Sequence, residues 1–360
     1  MNHPKKIAVL VINCLQGGGA ERSVLTLGQG FYELGYAVHV VRFKPLVEYE
    51  LSDTLTYHLI RFKPYKLIPF ERYRYKIFAR AVDSYIVNKI GTPDIILSNL
   101  ERPDNIMAYS QLPNIAHVIH STLSLYYKFN QLDNTDNIKA KLIHIYSKHP
   151  CVCVSDGVKA DFLEHLGNIT PITTIHNPID KEAITHLATA FIPEYHNYIV
   201  HVGSFKTAKR HDILLKAYAK TDQSMPLLLL GQGKLKNEIE QLITELHLTD
   251  KVILLGFQEN AYPYIKHAQF AVLTSDREGF AIVIAEALAI GVPVISTDCQ
   301  SGPRELLPAN NLMPVNDIAA ITDKLSQAMK NPQRFAATFD EALLPVKIAQ
   351  KHVTFSQGNH

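Results

Sequence analysis

Glu278 and Glu286 enclose a stretch, Gly279–Ala285, that holds no other charged or hydrogen-bonding side chain. The apolar run Phe280–Ile290 predicts a helix, with Glu278 just before it and Glu286 about two turns along. At a rise of ~1.5 Å per residue the two carboxylates stand roughly 12 Å apart. That is too far to share a proton, but it suits two ends of one extended ligand. The amides of Phe280, Ala281 and Ile282 at the predicted helix start suit a phosphate between them. The plainer reading makes Glu278 a first-turn charge and Glu286 a satisfied buried acid. Burying an acid in so apolar a helix is costly without a partner or a purpose.

Three further clusters invite chemistry. Gly203-Ser204 leads into Lys206, Lys209 and Arg210, whose charges suit a diphosphate, although such a run can equally be a solvated loop. Gln16-Gly17-Gly18-Gly19-Ala20-Glu21 joins a predicted strand to a predicted helix, where glycines admit a ligand close to the backbone. It does not spell G-x-G-x-x-G, and Arg42 stands where a dinucleotide fold would place an acid, which weakens a dehydrogenase reading. Gly231-Gln232-Gly233 lacks the third glycine as well. His120 ends another predicted strand, one of 17 histidines in the chain. No H-E-x-x-H, G-x-x-x-x-G-K-[ST], G-x-S-x-G or Asp-x-Asp motif occurs, so no metal is expected.

These residues need strand ends to carry them. Continuous aliphatic runs predict buried strands at Ile7–Ile12, Val38–Val41, Ile95–Ser98, Ile115–Ile119, Val152–Ser155 and Ile172–Ile175. The rhythm restarts with Tyr198–Val202, Leu227–Leu230, Val252–Leu255, Phe270–Leu273 and Pro293–Ser296, with helical patterns between. The alternation predicts an α/β chain of two doubly wound, Rossmann-like domains facing a cleft. The domains are expected at residues 1–180 and 181–345, followed by a tail, 346–360, that returns to the first.

Composition narrows the function. The 360 residues carry 36 basic and 34 acidic side chains, and residues 1–180 hold 19 and 16 of them. So even a balance offers no basic domain for nucleic acid. Cys14, Cys151, Cys153 and Cys299 sit in apolar runs, with Cys151 and Cys153 on one strand face, which reads as buried thiols in a cytoplasmic chain. Lys5-Lys6 followed by Ile7–Leu15 looks superficially like a leader but lacks a small-x-small site. The longest apolar stretch, Phe280–Ile295, is too short to span a bilayer.

Taken together and in order, these positions resemble the family 4 retaining glycosyltransferases of the GT-B fold, in particular those that build bacterial surface glycans and lipopolysaccharide. The resemblance runs from Gly18–Arg22 through Val154–Val158, Asn177–Asp180, Lys209–His211, Gly231–Gly233, Leu255–Phe257 and Glu278-x7-Glu286 to Ser301–Glu305. It implies transfer of a sugar from a nucleoside diphosphate donor, UDP-hexose or UDP-HexNAc first, to a glycan or glycolipid acceptor. By the same resemblance Glu278, His120 and Lys209 are catalytic, with Glu278 on the donor sugar and His120 near it. Donor contacts then fall to Gly18, Gly19, Gly203, Ser204, Lys209, Phe257, Glu278, Gly279, Phe280, Ala281, Ile282 and Glu286. Ser204 departs from the arginine usual there. The first domain would hold the acceptor, and no cofactor or metal is needed. A sugar-nucleotide epimerase of the same fold is the alternative, and an NAD-dependent oxidoreductase a weaker one.

One stretch bears on the acceptor. Between Arg61 and Arg80 lie seven basic residues and one acid, interleaved with aromatic and aliphatic side chains. Such a mixture suits peripheral docking on an anionic membrane surface without insertion, or else a helix with one core face and one wet face.

Overall fold

The computed structural model describes residues 6–129 and 134–358. Lys5, the first of the paired lysines noted above, lies outside them. The chain forms two units, Met1–Pro178 with Ala342–His360, and Ile179–Glu341.

In the first unit seven strands make one parallel sheet: β1 (Ile7–Ile12), β2 (Ala37–Arg42), β3 (Thr56–Leu59), β4 (Ile95–Asn99), β5 (Ile115–Ile119), β6 (Cys151–Cys153) and β7 (Ile172–Thr174), in the order β3-β2-β1-β4-β5-β6-β7. Helix α1 (Gly19–Glu33) buries Val24, Leu27 and Phe31, the apolar positions of its helical repeat. Helix α2 (Glu71–Lys89) sets Tyr75, Phe78, Ala79, Val82 and Ile86 into a core with Val9, Val11 and Ile96 of the sheet. The second unit holds β8 (Ile199–Val202), β9 (Leu227–Leu230), β10 (Val252–Gly256), β11 (Phe270–Leu273), β12 (Val294–Thr297) and β13 (Leu312–Met313), parallel in the order β10-β9-β8-β11-β12-β13. Leu227, Leu229, Phe270 and Val272 pack there against Leu214 and Tyr218 on one side chain layer and Ile321 and Phe335 beside it.

Every aliphatic run expected as a strand is one, and two strands escaped the pattern. β3 is Thr-Tyr-His-Leu at the sheet margin, half exposed and without an aliphatic run. β13 has two residues. Ser155 was expected inside a strand. Instead β6 ends at Cys153, and the Ser155 hydroxyl caps the next helix by accepting the Val158 N–H at 3.2 Å. Cys151 and Cys153 are fully buried and free, and Cys14 and Cys299 are buried and free within their units. Among the described residues no helix is long and apolar enough to cross a membrane.

The C-terminal helix Pro345–Gln357 belongs to the first unit and lies against α1. Gly30 permits this approach, because a Cβ there would stand 2.2 Å from the Pro345 carbonyl oxygen. Gly30→Ala gains roughly 1 kcal/mol of helix propensity, while the backbone clash costs ~1–3 kcal/mol. A net loss of stability in denaturant unfolding, with faster proteolysis of the terminal helix, is expected. A net gain would show that the helix slides freely on α1.

Candidate active site

Parallel sheets gather their strand-to-helix loops along one edge, and ligands bind where the strand order reverses. In the second unit that point falls between β8 and β11. The loop after β8 carries Lys209 and the loop after β11 carries Glu278, and the two meet there. Lys209 Nζ donates to Glu278 Oε1 at 2.6 Å, with side chains 19% and 11% exposed. Ser275 Oγ donates to the same oxygen at 2.6 Å. Both donors fall on Oε1, so Oε2 keeps its acceptor capacity for a ligand hydroxyl. Thr274 Oγ1 donates to the Lys209 carbonyl at 3.1 Å, and the Asp276 N–H donates to Ala208 O at 2.9 Å, which ties the two loops together.

The turn from Glu278 to Ala281 is held from the neighbouring loop. Ser301 Oγ donates to the Glu278 carbonyl. Gly302 lies so close that a Cβ would stand 2.7 Å from the Phe280 carbonyl carbon, and its φ of +92° suits glycine. The helix begins at Ile282 rather than Phe280, because Ala281 takes a left-handed conformation (φ 60°, ψ 56°). Of the three amides expected at the helix start, only Ile282 belongs to its first turn. Gly279, Phe280 and Ala281 form the bend that leads in, with Phe280 and Ala281 buried. Glu286 is 5% exposed, and Tyr262 donates to its Oε1 at 2.9 Å. Phe257, just past β10, is exposed.

The cations after β8 divide their work. Arg210 turns its fork onto Asp212 at 2.9 and 3.0 Å, Lys206 is exposed, and Lys209 alone reaches Glu278. Gly203 donates its N–H to Leu230 O at 2.9 Å, and Ser204 follows, half exposed. A Cβ on Gly203 would meet His201 Nε2 at 3.2 Å and the Lys209 stem at 3.5 Å. His201 donates from Nδ1 to Val272 O at 2.8 Å and stacks edge-on to His211, both fully buried.

In the first unit the reversal lies between β1 and β4. Asn99, at the end of β4, donates from Nδ2 to Val11 O and Leu97 O, which leaves its Oδ1 to accept from His120 Nε2 at 2.9 Å. His120 therefore presents Nδ1 as an acceptor, and burial pushes its pKa down to about 4, so the ring is neutral at pH 7. Around the glycine loop, Gly17 N–H donates to Glu48 at 2.8 Å, and Gly18 N–H to Tyr49 Oη at 2.9 Å. The Tyr49 hydroxyl donates back to Gly18 O at 2.7 Å. Gly19 opens α1.

Glu48, Tyr49, Asn99, Tyr262, Ser275 and Ser301 escaped the sequence reading. All but Ser275, which is three residues from Glu278, act on a residue distant in sequence, and none sits in a motif that names its role, although Ser301 lies in the Ser301–Glu305 segment of the resemblance.

Comparison with known proteins decides the family. The description "Glycosyltransferase Family 4" matches residues 17–183, and "Glycosyl transferases group 1" matches residues 185–342. The chain belongs to these glycosyltransferases. It is 29% identical over 379 residues to a Campylobacter jejuni N-acetylgalactosamine-N,N'-diacetylbacillosaminyl-diphospho-undecaprenol 4-alpha-N-acetylgalactosaminyltransferase, across 98% of this chain and all of that one. It is 28% identical to the Salmonella typhimurium lipopolysaccharide 1,6-galactosyltransferase, across 43% and 45% of the two. The solved structure of Anabaena HepE in complex with UDP and glucose covers 98% of this glycosyltransferase and 95% of its own chain, at a TM-score of 0.71 and 16% identity. Its two Rossmann-like units are those of the GT-B fold.

The buried histidines of the second unit make its stability depend on pH. Burial holds His201 down to about 4 and His211 to about 2. Below the ordinary histidine pKa of about 6.5 the unfolded chain binds protons that the folded unit refuses. Stability therefore falls as pH drops from about 7 toward 4, by up to about 1.4 kcal/mol per pH unit for each histidine. Thermal unfolding across that window should show the decline, and His201→Gln should flatten it. An unchanged slope would mean that His201 accepts its proton without penalty in the fold.

Proposed function

We propose that this glycosyltransferase moves a sugar, with retention of anomeric configuration, from a nucleoside diphosphate donor held by Ile179–Glu341 to a glycan or lipid-linked glycan acceptor held by the first unit. The observation that carries the reading is the meeting of Lys209 and Glu278 at the strand reversal of the second sheet. With no donor present the two charges neutralise each other. The donor replaces both halves: sugar hydroxyls take Glu278, and the diphosphate takes Lys209. Charge-assisted bonds of about 1.5–3 kcal/mol are thus exchanged for others of the same kind, and no buried charge is left bare. Gly203, Ser204, Gly279 and Ile282 border the diphosphate. Glu286, steadied by Tyr262, takes the ribose, and exposed Phe257 borders the base. Gly18, Gly19 and His120, beyond the C-terminal ends of β1 and β5 in the first unit, keep the roles that the resemblance implies for them.

In the transfer the acceptor oxygen bonds to the anomeric carbon on the face from which the diphosphate oxygen leaves. The departing diphosphate takes the acceptor proton, so no protein nucleophile is required. Lys209 and the start of the helix Ile282–Ile290 stabilise the negative charge that develops on the leaving group. These groups supply the positive potential without a metal, and EDTA should leave the rate unchanged.

UDP as the carrier is supported by the bound UDP of the Anabaena neighbour. A lipid-linked or lipopolysaccharide acceptor is supported by what the Campylobacter and Salmonella relatives act on. The basic stretch Arg61–Arg80 would hold the first unit near an anionic membrane surface.

A thermal-shift comparison of UDP-, GDP- and ADP-sugars tests the donor. The right one, at 100 times its Kd, stabilises by ~2.7 kcal/mol, and no shift with any of them would sink the assignment. Glu278→Gln should lower turnover more than about tenfold at saturating donor while the fold is kept. Lys209→Ala should reduce kcat more than it raises donor KM, because the charge it meets grows toward the transition state. An effect confined to KM would make Lys209 a ground-state contact.

A further inference from the structure

The stretch Arg61–Arg80 is sorted by folding in a way that its sequence does not show. Phe62, Tyr75 and Phe78 enter the core of the first unit. Leu67, Phe70, Tyr73 and Ile77 face outward, at 90%, 76%, 63% and 44% exposure. They belong to the short helical turn Lys63–Leu67, the bend after it and the first two turns of α2. The bend is braced. Arg74 donates from Nε and Nη2 to Ile68 O at 3.2 and 3.1 Å, and Phe70 is held at a φ of 61°, which a bulky residue adopts only under constraint. The rings of Phe70 and Tyr73 lie edge to face at 6.4 Å.

Cations surround this ridge: Arg61, Lys63, Lys66, Arg72, Lys76 and Arg80 are all exposed. The single acid of the stretch is already engaged, because Glu71 accepts from Tyr75 at 2.8 Å and faces Lys141 at 3.7 Å. The ridge lies in the connection from β3 to α2, on the sheet edge that also carries Gly18 and His120, and Arg102 of the helix Glu101–Met107 after β4 stacks over Phe62 at 5.5 Å. An apolar ridge ringed by positive charge complements one surface above others, an anionic bilayer with headgroups outside and hydrocarbon beneath.

We propose that Leu67 and Phe70 insert into the headgroup–acyl boundary of an anionic membrane, with Tyr73 at the interfacial layer and the surrounding cations on lipid phosphates. This rests on the acceptor reading above and goes past the docking without insertion that the sequence alone suggests. Insertion of two apolar side chains fixes the height of the first unit over the bilayer, which charge attraction alone does not.

The chain has no tryptophan, so Phe70→Trp creates a single reporter. With vesicles of phosphatidylglycerol and acyl-brominated phosphatidylcholine, its emission should shift to the blue and be quenched. Ile192→Trp, exposed in the second unit, should show neither. Leu67→Ser with Phe70→Ser should weaken partitioning at least about tenfold, and this loss should persist in about 1 M salt, where the Debye length is ~3 Å. Lys66→Ser, Arg72→Ser and Lys76→Ser together should act mainly at low salt. Arg74 is left intact because it braces the bend. Thermal unfolding checks that each variant is folded. Salt-sensitive binding without blue shift or quenching would overturn insertion and leave surface docking standing. No binding to any vesicle would overturn both, and would turn the ridge toward a protein partner.

Discussion

The second unit is organised around one ion pair. Lys209 and Glu278 are 69 residues apart in sequence, and only the placing of β8 beside β11 brings them together. Neither charge is comfortable in so enclosed a place without the other. The groups around them serve this pair: Thr274 fixes the carbonyl of Lys209, Ser275 shares the oxygen that Lys209 holds, and Ser301 with Gly302 fixes the backbone of the Glu278 turn. Because the two charges meet at 2.6 Å, neither is left bare in the enclosed loop junction. Beneath it, His201 and His211 are held neutral by burial, so they add no competing positive charge under Lys209.

The first unit achieves a similar end with neutral groups. Asn99 is oriented by two backbone carbonyls, and this fixes which nitrogen of His120 carries its proton. The glycine loop after β1 is not an open cradle, since Glu48 and Tyr49 occupy the amides of Gly17 and Gly18. A carboxylate on a glycine amide stands where an anionic ligand would bind, so a ligand phosphate at Gly17 would have to displace Glu48. The C-terminal helix closes over α1 at Gly30, which makes the last described residues part of the first unit's packing.

Membrane attraction and membrane insertion are different physical claims, and they draw on different information. Charge is visible in sequence because lysine and arginine are nearly always exposed. The fate of an interleaved apolar residue is not, because each can face the core or the solvent. Here the helical period of α2 sends Tyr75, Phe78 and Val82 inward, and the braced bend before it leaves Leu67 and Phe70 outside.

The amino-acid sequence determined the class of fold and marked the candidate site residues. Parallel strands covered on both faces need continuous aliphatic runs, so β1, β5, β9 and β11 could be read directly. The margin strand β3, half exposed and mixed in composition, could not. Glu278 stood out because an acid beside so apolar a helix needs a partner or a purpose, and the glycine loop because it follows a strand. Lys209, by contrast, was singled out from its neighbouring cations by the resemblance. Tertiary structure decided which cations matter, turning Arg210 onto Asp212 and Lys209 onto Glu278. It also supplied Tyr262, Asn99 and Tyr49 as the groups that hold the candidate residues in place. Such partnerships depend on which loops the strand order makes neighbours, and that order is set by the packing of the whole sheet rather than by any local run of residues.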